Sequence, residues 1–441
     1  MARDAQGHII ADATAETAAL IDTATRAFTM GYGDPIAALD AARAQSPACA
    51  LAHIAKAWIL VLSNDPLLAN AARPLMETAR GLALDDRSRS HMAALAHAVE
   101  GHRGPAVGVL ERHLMAYPHD LLAHFAAMLL DAFNGRFANA AQRAARALPL
   151  WSKTQESYGI LLSFYGFGLE EAADYGRAED VSRAAAEMEP YSYWPHHAVS
   201  HVLEMTARPK EGLAWMDQRE PLWSKNEHSG QAHIWWHKAL FHVELGDYEE
   251  AMRLYDGPII STQKPAGIGL THTPALLWRL EILGCEGGER WQALADLWRG
   301  HADGRYCVFA DIHAAMAELK AGRDTAVENR LAAMRRTAAD TSESAPAYRD
   351  VGLPVVQGLA AYQRGDHARA VDHLLAVRPE LFRMGGSKAQ RDVIEWTLND
   401  AAARAGLRDV AIALANERLA ARPLSAPNRQ FIANAEAIAA P

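Results

Sequence analysis

The sequence predicts an all-α protein with a tetratricopeptide-like α-solenoid fold, a superhelix of about ten helical hairpins. Three observations lead to this prediction. Ala, Leu, Glu and Arg, which are strong helix formers, dominate nearly every segment. Short breaks with Gly or Pro, such as Gly104-Pro105 and Gly365-Asp366, separate the helical stretches. Small residues also recur at a fixed spacing, as repeated hairpins require.

The clearest repeat runs from His233 to Asp256. A small residue, Ala239, is followed by the turn Gly246-Asp247 and, twelve residues after Ala239, by a second small residue, Ala251. The same spacing of twelve recurs in four more pairs: Ala94 and Ala106, Gly166 and Ala178, Ala314 and Ala326, Gly358 and Ala370. Small residues let two helices cross closely, and no single hairpin can bury its own apolar face, so we expect the hairpins to stack.

We expect one continuous array over residues 1–441, with N-terminal repeats in 1–120, a central part in 121–320 and C-terminal repeats in 321–441. The net charge of −9 disfavours a nucleic-acid partner, because such proteins usually carry a basic excess. Three scattered cysteines exclude a disulfide framework and a cysteine-based metal site. No apolar run suits a signal peptide or a membrane span, so we expect a cytoplasmic protein without a membrane partner.

Aromatic and histidine residues concentrate in the central part. Nine of the eleven tryptophans lie between Trp151 and Trp298, and ten of the twenty histidines lie between His196 and His313. A repeat core needs Leu and Ala rather than this mixture. Aromatic walls with a few convergent polar groups are typical of small-molecule sites, so the sequence favours a pocket here, with Trp194 among its candidate binding residues.

Two helices should carry paired imidazoles. In His197-Ala-Val-Ser-His201-Val-Leu-Glu204, the two histidines and the glutamate share one helical face at ~100° per residue. In His233-Ile-Trp-Trp-His237, two more histidines share a face, and Trp236 flanks them. First helices of neighbouring hairpins run side by side, so we expect the two pairs to face each other across ~10 Å or less between helix axes.

A third element is Asp311-Ile-His313. Asp311 occupies the same repeat position as His197, so it too should point inward. Together the candidates for catalysis are His197, His201, Glu204, His233, His237 and Asp311, and those for binding are Trp194, Trp236, His313 and Arg391.

Three interpretations of this cluster stay open: a structural polar network, a binding or acid/base pocket without metal, and a metal centre on His197, His201, His233 and His237. The sequence assigns no metal and requires no cofactor, although a divalent metal such as zinc is compatible with it. The corresponding functions are binding of a small molecule or short peptide, hydrolase or lyase chemistry, and a scaffold for protein partners. The oligomeric state is not determined by the sequence.

The segment Gly385-Gly386-Ser387-Lys388-Ala389-Gln390-Arg391 has two interpretations. Ser387 and Gln390 have the spacing of a capping box, which predicts a helix start. The functional alternative is anion binding at that helix terminus, assisted by Lys388 and Arg391.

These motifs together resemble the tetratricopeptide repeat protein 38 family. The resemblance rests on the His197–Glu204 string, Trp235-Trp236-His237-Lys238-Ala239-Leu240-Phe241-His242, the Asp311-x-His313 helix and Gly-Gly-Ser-x-Ala-Gln-Arg-Asp, and it spans residues 117–427. It implies a divergent tetratricopeptide solenoid with a central part rich in histidine and tryptophan, and it supplies no catalytic roles. The family turn after the first histidine helix usually carries a glycine, where this chain has Ala207-Arg208-Pro209.

Overall fold

The computed structural model describes residues 2–439 and confirms the all-α, tetratricopeptide-like fold class. Within these residues the chain divides into two compact units. Unit 1 comprises residues 1–199 and 220–230, and unit 2 comprises residues 200–219 and 231–441. The sequence pattern predicts one continuous array over residues 1–441. None of the helices in the described residues combines the length and apolarity that spanning a bilayer requires.

Unit 1 begins with a short antiparallel strand pair, β1 and β2, in which Ala2 faces Ile10. Hairpins of consecutive helices follow. The elements are β1 (Ala2–Arg3), β2 (Ile9–Ile10), α1 (Ala15–Met30), α2 (Pro35–Gln45), α3 (Ala50–Val61), α4 (Pro66–Arg80), α5 (Asp86–Ala98), α6 (Arg103–Ala116), α7 (Leu121–Ala132), α8 (Asn139–Ala147), a 3-10 turn (Leu148–Leu150), α9 (Tyr158–Glu171) and α10 (Tyr175–Met188). Helices α11 (Tyr193–Met205) and α12 (Pro209–Trp223) each carry residues of both units.

Unit 2 continues the pattern from residue 231 onwards. Its elements are α13 (Gln231–Leu245), α14 (Tyr248–Leu254), a π-helical segment (Tyr255–Ile259), α15 (Ile260–Thr262), a 3-10 turn (Gly267–Leu270), α16 (His272–Ile282), α17 (Arg290–Leu297), α18 (Val308–Lys320), α19 (Asp324–Ala339), α20 (Ala345–Ala347), a second π-helical segment (Tyr348–Gly352), α21 (Leu353–Gln363), α22 (His367–Val377), a 3-10 segment (Arg378–Met384), α23 (Lys388–Arg404), α24 (Arg408–Ala421) and α25 (Ala426–Glu436). The first helices of successive hairpins, α13, α16, α18, α21 and α23, contact one another in that order.

The small residues of the repeat pattern lie where helices cross. A Cβ atom added to Gly166 of α9 would lie 2.3 Å from Oγ of Ser182 on α10, and one added to Gly358 of α21 would lie 2.6 Å from a methyl carbon of Leu374 on α22. Real Cβ contacts are essentially never this short, so a larger residue at either position would force the neighbouring helix or its side chains to shift. The predicted packing role of these two residues is confirmed.

The turn after α11 has the shape that glycine normally provides. Ala207 adopts a positive φ of 58°, and the Arg208 N–H donates to the carbonyl of Leu203 at 2.8 Å. An L-residue in this left-handed conformation costs roughly 1–2 kcal/mol. The chain therefore forms a glycine-type turn with an alanine at the left-handed position.

Glycine at the crossing of α8 and α9 offers a test of the close packing in unit 1. A Cβ atom on Gly168 would lie 2.2 Å from the backbone nitrogen of Ala141, so Gly168→Ala should lower the free energy of unfolding by roughly 3 kcal/mol. The matched control is Gly108→Ala in α6, where nothing lies within 4 Å, and it should raise that free energy by about 0.5–1 kcal/mol. Urea unfolding of both variants checks this, and equal effects would contradict the packing.

Candidate functional site

Three histidines of unit 2 form one cluster, which we call the imidazole cluster: His201 from α11 and His233 and His237 from α13. The ring centroids of His201 and His237 are 4.6 Å apart, and those of His233 and His237 are 4.8 Å apart. One ring nitrogen of each lies within 4.8 Å of the others. His201 and His237 are fully buried, whereas His233 is partly exposed. The predicted convergence of His201 with the second pair is therefore present within unit 2.

Glu204 determines the orientation of one of these rings. It lies one turn after His201 on α11, and its Oε2 is 3.3 Å from Nδ1 of His237. When Glu204 is ionised it only accepts hydrogen bonds, so Nδ1 of His237 then carries the ring proton and the lone pair lies on Nε2. This carboxylate–histidine arrangement is the one that supports metal-bound imidazoles in many proteins.

Burial favours the neutral form of His233 and His237. Desolvation, followed by the neighbouring imidazoles, lowers the pKa of His233 and of His237 well below the usual value. Burial also raises the pKa of Glu204, against the opposing effects of Arg422, His201 and Arg279. Neutral imidazole is the form that binds metals and accepts protons, so these two rings have the protonation state that either chemistry needs.

Two further buried histidines extend the cluster along successive first helices. His272 begins α16, with its ring centroid 5.9 Å from that of His233. His313 of α18 lies close enough to affect the pKa of His272, which burial lowers to about 3. Burial likewise lowers the pKa of His313 to about 4. The sequence analysis identified His313 but missed His272, which has no second histidine one helical turn away.

Aromatic and charged side chains line the cluster. The ring of Trp236 stacks on that of His233, with centroids 5.1 Å apart and planes 18° apart. On Trp236 in turn lies Arg279, whose guanidinium carbon is 5.7 Å from the indole centroid. Trp236 is completely buried, so it serves as a packing surface for the histidine and the arginine together.

A small cavity reaches Glu204 from the side of the C-terminal helices. Its lining includes Glu204, Phe241, Glu244, Arg422 and Leu424, and its volume of about 10 Å³ suits about one water molecule. A larger hollow of about 600 Å³ in unit 2 is lined by residues such as Lys320, Tyr362 and Arg404, and by none of the sequence-predicted site residues. Neither of these two cavities is lined by His201, His233 or His237, and the smaller one has room for no more than about one water.

The remaining candidates from the sequence have contacts within their own units. His197 belongs to unit 1, where its ring stacks on Tyr193 at 4.7 Å, and Trp194 packs against Phe125 and Phe167 of the same unit. Arg391 donates to the carbonyl of Gly386 beside the capping box. That capping box is present, with both Ser387 and Gln390 hydrogen bonds formed, so the predicted helix start is confirmed.

Asp311 is engaged in a different network from the imidazoles. It accepts hydrogen bonds from Arg330 at 2.6 Å, from the Tyr348 hydroxyl at 2.6 Å and from the backbone N–H of Gly304 at 2.8 Å. These bonds tie α18 to α19 and to the second π-helical segment. The structure therefore gives Asp311 a set of structural partners, and its predicted catalytic role has no supporting contact with the cluster.

Unit 1 contains a histidine cluster that the sequence analysis missed. Oδ2 of Asp120 lies 3.0 Å from Nε2 of His91 and 3.1 Å from Nε2 of His113, and Arg87 donates to the same oxygen at 2.6 Å. These residues come from α5, α6 and the N-cap of α7, so no local spacing reveals them. Arg87 neutralises the charge of the buried Asp120 carboxylate, so that carboxylate is not available to a metal ion.

The hydrogen bond on the other side of His91 distinguishes this cluster from that of unit 2. Trp58 donates its indole N–H to Nδ1 of His91 at 3.0 Å. Nδ1 must therefore hold the lone pair, and Nε2 carries the proton that Asp120 accepts. A metal on Nε2 would require the opposite tautomer, so the unit 1 cluster is a hydrogen-bonded structural network.

The buried imidazoles of unit 2 should make stability depend on pH. His313 has a folded pKa of about 4 against about 6.5 when unfolded, so the unfolded state binds more protons between these values. Stability should fall as the pH drops from 6.5 towards 4. His313→Gln keeps a donor for the Phe309 carbonyl and removes the titrating imidazole. The slope of the free energy of unfolding against pH should therefore weaken by about 1.4 kcal/mol per pH unit. Urea unfolding of chelator-treated protein at several pH values checks this, and an unchanged slope would contradict it.

Comparison with known proteins supports no functional assignment. No protein-family model matches the chain. The structure is similar to human IFIT1 solved as a dimer with PPP-AAAA, at 12% identity over 88% of this chain and 90% of that one, with a TM-score of 0.40. It is also similar to the APC/C hetero-tetramer Cut9-Hcn1, at 13% identity over 96% and 90%, with a TM-score of 0.32. Similarities of this size carry no inference about function.

Proposed function

We propose that unit 2 binds one divalent transition metal, best matched by zinc, through His201, His233 and His237. The observation that carries the proposal is that one nitrogen of each ring lies within 4.8 Å of the others. A tetrahedral ion with bonds of about 2.0–2.1 Å would set these nitrogens roughly 3.4 Å apart, so small side-chain movements close the site. Glu204 supports it by fixing the His237 tautomer.

The ligand set favours zinc over other common cations. Three imidazoles suit zinc and its transition-metal neighbours, whereas magnesium and calcium prefer carboxylate and carbonyl oxygens. The neutral state of the rings near pH 7 removes the competition with protons that weakens metal binding in acid. His197 stays a prediction from its spacing of one helical turn before His201.

The same proposal describes how the protein would bind a ligand. A zinc ion with three protein ligands keeps a fourth position for an outside molecule. We propose that this helical-repeat protein takes its ligand, a small molecule or the end of a short peptide, at that position.

A hydrolase or lyase activity is the second candidate. Catalytic zinc sites use three protein ligands and lower the pKa of a bound water to about 7. The three-histidine set of unit 2 is of this type. A scaffold role for protein partners has no comparable contact in its favour.

We also propose kinship with the tetratricopeptide repeat protein 38 family, supported by the motifs given above.

Metal content tests the proposal directly. Protein stripped with a chelator and reloaded should retain one zinc per chain by elemental analysis, and zinc should raise its melting temperature. His233→Ala should weaken zinc binding at least 100-fold, and Glu204→Gln should weaken it 10–100-fold through loss of its support for His237. The matched control is His242→Ala, which lies on the same helix α13 and contacts Asp247 instead. Zinc retention equal in all variants would contradict the proposal.

The unit 1 cluster supplies an independent variant. His91→Ala removes a histidine that also has two possible ligands within reach, His113 and Asp120. Because Trp58 fixes the tautomer that excludes a metal, this variant should lose stability and still bind one zinc with unchanged affinity. Isothermal titration with zinc checks the stoichiometry. Loss of the zinc in His91→Ala would move the site to unit 1.

A further inference from the structure

Four first helices of unit 2 contact one another in a closed ring. Helix α16 contacts α18, α18 contacts α21, α21 contacts α23, and α23 contacts α16 again. Two hydrogen bonds join α16 to α23: the Trp278 indole N–H donates to the Thr397 hydroxyl at 2.9 Å, and the Arg279 guanidinium donates to the Ala389 carbonyl at 2.8 Å. The ring brings the ends of these four helices close to one another.

The hollow of about 600 Å³ lies where these four helices end. The residues that line it include the last residue of each helix: Ile282 of α16, Lys320 of α18, Gln363 of α21 and Arg404 of α23. None of these four residues has a carbonyl that accepts a hydrogen bond within the part of the chain that the structure describes. The C-terminal end of a helix carries roughly half a negative charge, so four such ends give the hollow a negative potential.

The side-chain cations of the wall are already paired with carboxylates. Nζ of Lys320 lies 2.6 Å from Oε2 of Glu281, and Nε of Arg404 donates to Oδ2 of Asp400 at 2.5 Å. His367 also lines the hollow, and burial, followed by the charge of Arg404, lowers the pKa of its ring. This imidazole therefore adds no positive charge near pH 7, and the negative potential of the helix ends is left without a compensating side chain.

Glu286 adds a further negative charge to the hollow. It is exposed, it lines the hollow, and it forms no ion pair among the described residues. The loop that carries it is anchored, because the Gly287 N–H donates to Oε1 of Glu281 at 3.1 Å and the Trp291 indole N–H donates to the same oxygen at 2.6 Å. A Cβ atom on Gly287 would lie 2.2 Å from Nε1 of Trp291, so only glycine fits this close approach.

We infer that this hollow binds a small organic amine, such as a diamine or polyamine, with its ammonium groups at the helix ends and at Glu286. An ammonium group has three N–H donors, and free carbonyls and a carboxylate are the acceptors that it needs. Ile282 and Tyr362 offer apolar surface to the alkyl chain. The volume lies in the range of about 300–1,000 Å³ that is usual for ligand pockets. The inference is independent of the proposed metal site, because no residue of the imidazole cluster lines the hollow.

Calorimetric titration of the full chain, treated with a chelator and kept at constant ionic strength, tests this inference. Putrescine and 1,4-butanediol have the same carbon chain, and only putrescine carries ammonium groups. Putrescine should bind saturably with one molecule per chain, and butanediol should bind at least about tenfold more weakly. Parallel titrations with spermidine and with N-acetyl-lysinamide distinguish a free polyamine from the lysine side chain of a peptide as the source of the ammonium group.

Two variants of one loop separate the hollow from the general negative charge of the protein. Glu286→Gln removes the carboxylate that lines the hollow and should weaken putrescine binding about threefold or more. The matched control is Glu289→Gln, which changes the net charge equally at a position that does not line the hollow, so it should leave binding unchanged. Both side chains are exposed, so neither substitution disturbs the core.

Charge changes at one helix end give a readout that a loss of structure would not produce. Gln363 is the exposed last residue of α21 and lines the hollow. Gln363→Glu should strengthen putrescine binding, and Gln363→Lys should weaken it, each by about threefold. A structural disturbance would weaken binding in both variants.

The remaining outcomes overturn the inference. Equal binding of putrescine and butanediol, or no binding of either, shows that the hollow does not recognise an ammonium group. An equal loss of affinity in Glu286→Gln and Glu289→Gln, or a shift of both Gln363 variants in the same direction, places the amine elsewhere on the protein. None of these results bears on zinc binding by the imidazole cluster, which the metal analysis tests separately.

Discussion

The central constraint in this protein is the hydrogen-bonding requirement of buried imidazoles. A neutral ring has one donor and one acceptor, and the group that faces one nitrogen decides which role the other takes. Glu204 faces Nδ1 of His237 as an acceptor, and Trp58 faces Nδ1 of His91 as a donor. Two clusters of similar composition therefore have opposite chemistry. With Glu204 ionised, the first can offer a ring lone pair to the proposed metal, and the second presents a ring proton to Asp120.

The repeat fold makes this arrangement possible through close helix crossings. Glycines such as Gly166 and Gly358 let the two helices of a hairpin approach to distances that a Cβ atom would prevent. In unit 2 the first helices of successive hairpins then contact one another in order. His237 and His233 of α13 and His272 of α16 have neighbouring rings, and His313 of α18 lies close enough to His272 to affect its pKa. The site is thus a product of regular stacking and of unusual residues placed on the stacked faces.

Much of this architecture could be predicted from the sequence, since it depends on local periodicity. The spacing of twelve between small residues indicates the hairpins, and a spacing of four places His233 and His237 on one face. Adjacent first helices then bring His201 close to His237. The Ser387 capping box is equally local, because all its partners lie within four residues.

The parts that sequence reasoning missed depend on contacts between distant residues. Asp311 has the repeat position of a site residue, yet Arg330 and Tyr348 hold it through bonds that no spacing reveals. The cluster of His91, His113 and Asp120 joins three helices without a shared motif. Side-chain direction in such cases follows from the charge and hydrogen-bond partners that folding supplies.

The most direct measurement of the central claim is anomalous X-ray scattering at the zinc absorption edge, from crystals of protein loaded with one equivalent of zinc. The account predicts a single strong peak among the ring nitrogens of His201, His233 and His237, about 2 Å from each. A zinc peak beside His91 and Asp120 would contradict it. The absence of any zinc peak from crystals of the loaded protein would also contradict it.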